Sequence, residues 1–259
     1  MNDPLWPRRR ALAAIGGAAA GLLFTREARA FGDEGAFNPR VLITGNARWE
    51  GVRTSAPARW SAELSTRTSA PARPSPTTVR ADDPTMVAEP FAIWGGEGDV
   101  PALTEREVSG LRRFLALGGI LFVDDFAPET GAFRAAAKRE LRRVLPEGSP
   151  IGVTGKDYLL FKTFYLVQRP VGRVEGPTKL EVIVRGGVPQ VIFSAHDLLG
   201  ALARGASGTH PLQVVPGGEP QRERAVRLAV NLAMYVLCST YKDDRVHESF
   251  LKRRRVVEP

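Results

Sequence analysis

Short continuous apolar runs alternate along this chain with stretches whose apolar residues recur every three or four positions. Arg40-Val-Leu-Ile-Thr-Gly45 is such a run ending in Gly and predicts a buried first strand. Thr77–Arg80 predicts a second strand. Pro90-Phe-Ala-Ile-Trp94 predicts a third, stopped by Gly95-Gly96. Thr104 with Glu107 three residues on has the form of a capping box. The helix it opens carries Val108, Leu111, Phe114 and Leu115 on one face and ends at Gly118-Gly119. Ile120-Leu-Phe-Val123 is apolar throughout, as in a parallel sheet covered on both faces. Phe133–Leu145 follows as a basic amphipathic helix ending at Pro146. Strand and helix alternating over short connections predict right-handed βαβ units. The fold class is α/β, three-layered and doubly wound around a mostly parallel sheet.

The second half is more mixed. Leu160–Val167 predicts a strand. Leu180–Val184 and Gln190–Ser194, separated by Gly186-Gly187, predict a hairpin or two adjacent strands. Leu198–Ala203 predicts a short helix, Gly205–Pro220 a loop, and Glu219–Leu237 a long helix. Near the N-terminal end of the domain, Arg53-Thr-Ser-Ala-Pro-Ala-Arg59 recurs unchanged as Arg67–Arg73. Two copies are too few for a solenoid. A helix is expected between them over Trp60–Arg67, with the Ser/Thr-Ala-Pro segment as its N-terminal stop.

The first 30 residues change the picture. Arg8-Arg9-Arg10, the apolar run Ala11–Phe24 and Ala28-Arg29-Ala30 are the three parts of an export signal. The Arg pair and an h-region rich in Ala and Gly predict the twin-arginine route, with cleavage after Ala30. The run is 14 residues long, and a bilayer span needs about 20. A periplasmic or otherwise exported mature chain without a transmembrane helix is therefore expected. It divides into an α/β domain over 38–245 and a basic tail over 246–259. The formal charge of the whole chain is +8. Five Arg and two acids fall within residues 1–30, so the mature charge is 8 − 3 = +5. Part of it lies in Lys252-Arg253-Arg254-Arg255, and export makes nucleic acid an unexpected partner. Cys238 is the one cysteine, so no internal disulfide forms, and its apolar neighbours predict a small buried hydrophobe.

Three longer stretches carry a resemblance: Leu111–Asp125; Phe161-Lys-Thr-Phe-Tyr165 with Pro170-Val-Gly-Arg173; and Arg227–Tyr235 running into Tyr241-Lys-Asp-Asp-Arg-Val-His247. Over about residues 38–256 the chain resembles the bacterial domain-of-unknown-function family 4159. The resemblance implies a flavodoxin-like fold akin to class I glutamine amidotransferases. It also implies a setting near MoxR-type ATPases and von Willebrand A-type proteins. It implies no activity. Where the family pattern has His after the Asp that precedes Phe161, this chain has Tyr158.

Amidotransferase chemistry needs a nucleophile on a sharp strand-to-helix turn with a His nearby. Here the corresponding edge carries Asp124-Asp125, with no Cys or Ser, and Cys238 lies in a different helix. That argues against a glutaminase. Ligands of open α/β sheets bind outside the carboxyl ends of strands. Asp124 and Asp125 end one strand and His196-Asp197 follows another, so the four could share a crevice. Asp124, Asp125 and His196 are the catalytic candidates, suited to acid–base work or a divalent metal. Asp197, Tyr165, Arg173 and Trp94 are the ligand-binding candidates. The competing reading makes Asp125 and Asp197 caps of the helices that follow them. Asp243 and His247, four apart, form a second polar group past the last helix. Trp94-Gly-Gly-Glu-Gly lacks the Lys and the spacing of a phosphate loop. No motif names a cofactor. The chain thus reads as an exported, non-catalytic binding or assembly module meeting an envelope protein of unidentified kind. The alternative is a metal-assisted hydrolase, and a third possibility is carbohydrate binding through Trp49, Trp60 and Trp94.

Overall fold

The structure is a computed structural model that describes residues 35–145 and 149–255. The proposed export signal lies outside them. The strands are β1 (Arg40–Ile43), β2 (Thr78–Arg80), β3 (Phe91–Gly96), β4 (Ile120–Asp125), β5 (Ile151–Thr154), β6 (Leu180–Arg185) and β7 (Val188–Ser194). The helices are α1 (Ala56–Thr68), α2 (Glu105–Ala116), α3 (Ala132–Val144), α4 (Leu198–Leu202) and α5 (Gly218–Arg255). All seven strands join one sheet in the order β2-β1-β3-β4-β7-β6-β5. β1 to β4 and β7 pair in parallel, while β6 pairs antiparallel with both β7 and β5. The protein is therefore an α/β fold on a seven-stranded, mostly parallel sheet. The chain places β2 on one side of β1 and β3 on the other, so the winding direction reverses between β1 and β3.

Each face of the sheet has its own core. One gathers Trp60, Phe91, Phe122 and Ile192 with residues of α1, α4 and α5. The other gathers Leu121, Val123 and Phe193 with Leu111, Phe114 and Leu141 of α2 and α3. Trp60 fills the centre of the first, its ring edge-on to Phe91 and Phe122 at 5.8 Å and its Nε1–H donating to Ala229 O at 2.7 Å. The alternation along β4 has a direct consequence. Ile120 and Phe122 enter one core and Leu121 and Val123 the other. Successive strand side chains point to opposite faces, so Asp124 and Asp125 face opposite helical layers.

The capping box of α2 is present: Thr104 Oγ1 accepts from Glu107 N at 3.3 Å and the Glu107 carboxylate accepts from Thr104 N at 2.9 Å. Several expectations need correction. α1 begins at Ala56, inside the first copy of the repeated heptapeptide, because Pro57 lies in its first turn, where a missing N–H costs nothing. The second copy closes the same helix and leads out of it. Gly95 and Gly96 do not stop β3 but belong to it. A Cβ at Gly95 would lie 2.4 Å from the Phe126 ring, and one at Gly96 2.7 Å from the Phe133 ring, so these positions admit aromatic rings rather than a turn. Leu160–Val167 is not a strand. It is a single 3-10 turn, Leu159–Phe161, followed by irregular chain. β5 carries no strong apolar run and was not expected. α5 continues past Leu237 to Arg255. Cys238 is exposed on α5 rather than buried. Among the described residues, no helix is long and apolar enough to cross a membrane.

Candidate functional site

Asp124 and Asp197 meet at the carboxyl ends of β4 and β7. Both are fully buried. The two oxygens of Asp124 accept from Leu198 N at 3.0 Å and Leu199 N at 2.8 Å, the first turn of α4. Asp197 caps the same helix, accepting from Gly200 N at 2.9 Å. It does so from a left-handed backbone, φ 52°, a conformation that costs a non-Gly residue about 1 kcal/mol or more. Two cations hold it there. Arg53, in the loop after β1, grips both oxygens of Asp197 at 2.8 and 2.6 Å, and its guanidinium lies 4.5 Å over the Phe126 ring. Arg173 also pairs with Asp197 through its Nε. The burial of Asp124, together with the negative charge of Asp197, pushes its carboxyl up to about 7, against the backbone N–H groups that favour its ionised form. The site is thus a largely buried cluster of two carboxyls and two guanidiniums that fastens the β1–α1 loop to the N-terminus of α4.

Asp125 stands apart from it, on the α3 side. Its Oδ1 accepts from Ala127 N at 3.2 Å, and its Oδ2 lies 3.9 Å from Arg134 Nη1 without a hydrogen bond. Burial raises its pKa. It folds the chain after β4 rather than capping α3, which starts from Gly131. His196 is 1% exposed. Its Nε2 is 3.0 Å from Pro177 O, and its Nδ1 is buried without a partner. Burial pulls its pKa down to about 4, with the charges of Arg134 and Arg169 acting the same way, so the ring is neutral.

Of the ligand-binding candidates, Arg173 and Asp197 join the acid cluster. Tyr165 does not. It is pinned to α5 through Asn231, and the guanidinium of Arg227 lies 5.2 Å from its ring. Trp94 is buried within β3, edge-on to Phe133 at 5.8 Å. It lines a crevice of about 320 Å³ that opens where the winding reverses, at the carboxyl ends of β1 and β3. Thr44, Asn46, Trp49, Glu97 and Phe133 also line it. Trp60, the third candidate indole, is core. Sequence reasoning missed Arg53. Its position in a Ser/Thr/Pro-rich repeat gave no sign of a partner 144 residues away. The side chains of Asp243 and His247 lie outside the described set. Among the described residues, no group of three or more His, Cys, Asp or Glu is arranged to hold a metal ion.

A mostly parallel α/β sheet with a buried carboxyl–guanidinium cluster at its carboxyl edge and a crevice at its reversal point is the class of protein defined so far. The chain matches the family described as Domain of unknown function (DUF4159) over residues 40–237. It belongs to that family. No curated protein matches it.

Proposed function

We propose that this chain is an exported, non-catalytic binding module of the bacterial cell envelope, with its ligand crevice between β1 and β3. The five parallel strands follow the 2-1-3-4-5 order of flavodoxin-like sheets, consistent with the doubly wound, amidotransferase-like architecture that the family resemblance implies. In such sheets ligands bind at the reversal point. The crevice there supports the binding reading most directly. Its volume of about 320 Å³ falls at the lower end of small-ligand sites, and its walls combine apolar rings with a few polar groups. The edge where an amidotransferase holds its nucleophile carries instead Asp124, which is sealed from solvent with both oxygens occupied.

A photo-crosslinking residue at Asn46, in the exported protein in cells, tests this. The expected result is a discrete crosslinked product that is missing when the same residue is placed at Gly186, on the far hairpin. No crosslink from Asn46, or equal products from both positions, sinks the reading. A second reading, carbohydrate binding, draws support from Trp49 and Trp94 sharing this crevice beside Asn46 and Glu97. A glycan array with the mature chain checks it, and Trp49→Ala is expected to abolish any signal.

A further inference from the structure

The opposite face of the molecule carries a second depression, of about 120 Å³, between α1, the N-terminal turns of α5 and the segment after α4. Four Arg and three Glu line it, an excess of one positive charge among these seven side chains. The ion pairs around it are uneven. Glu63 is shared by Arg59 and Arg67. Arg67 takes a second carboxylate, Glu223, through both of its terminal nitrogens at 2.9 and 2.8 Å. Arg222 pairs with Glu219 and donates to Ala201 O and Leu212 O. Arg204 has none of this. Among the described residues no carboxylate lies within ion-pair distance of its guanidinium, and its Nε is buried without a hydrogen-bond partner. Its backbone is fixed, because Arg204 N donates to Ser55 Oγ at 2.9 Å, so the side chain is delivered to the depression rather than left on a free loop.

We propose that this depression is an anion site that takes a phosphate group, held between the guanidiniums of Arg204 and Arg59. A buried N–H donor without an acceptor is costly, and a phosphate oxygen supplies the acceptor. Arg59 lines the same depression from α1 and keeps its ion pair with Glu63. Burial lowers its pKa, and the nearby charges of Arg204 and Arg67 act in the same direction, so an added anion stabilises its charged form. Guanidinium forks match phosphate oxygens with paired donors. Arg59 on α1 and Arg204 after α4 bring donors from two separate elements, and a tetrahedral group offers acceptors in more directions than a planar carboxylate. The space admits one such group and excludes a nucleotide's base and sugar. The site is independent of the β1–β3 crevice, which lies against the other core.

The phosphate can be free or carried on a lipid headgroup, and the test separates the two. Calorimetric titration of the mature chain with inorganic phosphate is run at constant ionic strength in chloride. Flotation is run with vesicles of phosphatidylcholine with and without phosphatidic acid. Saturable one-site binding of phosphate supports the site with free phosphate as its ligand. Binding only to phosphatidic acid vesicles supports it with a headgroup. In either arm Arg204→Gln and Arg59→Gln each weaken binding at least tenfold, while Arg106→Gln, on the opposite layer, does not. Circular dichroism melts show whether the variants remain folded. Binding in neither arm, or binding unchanged in folded Arg204→Gln and Arg59→Gln, overturns the proposal.

Discussion

Arg53 closes a two-pronged grip on Asp197 across 144 positions of sequence, with the carboxylate fully buried and the guanidinium side chain only 15% exposed. Arg173 approaches the same carboxylate from the segment before β6. Removing one partner of a buried pair strands the other charge, which typically costs 3–5 kcal/mol. Arg173 remains to compensate in part, so Arg53→Ala is expected to destabilise the domain by about 2–4 kcal/mol in urea unfolding. Arg53→Lys keeps the charge but loses the fork, and a smaller loss is expected. A loss below 0.5 kcal/mol for Arg53→Ala, on the order of a neutral surface change, would show that the pair does not hold the β1–α1 loop.

Asp124 and His196 act on pH dependence with opposite signs. The Asp124 carboxyl, raised to about 7, keeps its proton in the folded state after the unfolded chain has released it near pH 4. The folded state binds more protons in that window, so this group makes stability fall as pH rises from about 4 to 7. His196, lowered to about 4, stays neutral in the folded state while the unfolded ring takes a proton near 6.5. It makes stability rise with pH between about 4 and 6.5. Over this range the two contributions offset one another. Asp124→Asn is expected to give a rising profile and His196→Gln a falling one, read as urea midpoints at pH 4.5, 5.5 and 6.5. Identical slopes in the two variants would refute the assignment.

Legibility of the fold followed locality. β3 and β4 announced themselves because strands covered on both faces need continuous apolar runs, and the α2 cap is encoded within four residues. β5 was invisible because it is an edge strand whose Ile151, Gly152 and Val153 are exposed. Leu160–Val167 misled because its burial is not alternate: Leu160, Phe161 and Val167 are inside while Leu166 is 80% exposed. In the candidate site, the acids were legible as residues at strand ends. Their distribution to opposite faces required the pleat of β4, and their cationic partners required the tertiary fold.

What replaces a strand ladder over that misread segment is one side chain. Asn231 is fully buried on α5. Its Oδ1 accepts from Tyr165 N at 2.7 Å and Phe164 N at 3.3 Å, and its Nδ2 donates to Tyr165 O at 2.8 Å. Thr163 Oγ1 adds a bond to Asn231 O at 2.8 Å. Asn231→Ala orphans these backbone groups, each worth about 1–3 kcal/mol if left buried and unpaired. Amide exchange at Phe164 and Tyr165 is expected to rise by at least tenfold relative to β4 amides. Unchanged protection would mean that packing alone holds the segment.

The export proposal is tested at the first residues rather than in the fold. Twin-arginine recognition depends on the guanidinium pair, and its weakly apolar h-region of Ala and Gly is a poor substrate for insertion as a span. Arg9→Lys with Arg10→Lys keeps the positive charge of the n-region and removes the pair that precedes Ala11-Leu12-Ala13. The double variant is expected to accumulate uncleaved in the cytoplasm. The native chain should appear in the periplasmic fraction, with Phe31 as its first residue by N-terminal sequencing. Equal export of both proteins would point instead to a general secretory signal that reads charge alone. A native chain that fractionates with membranes and still carries Arg8 would show that Ala11–Phe24 stays in place as an anchor.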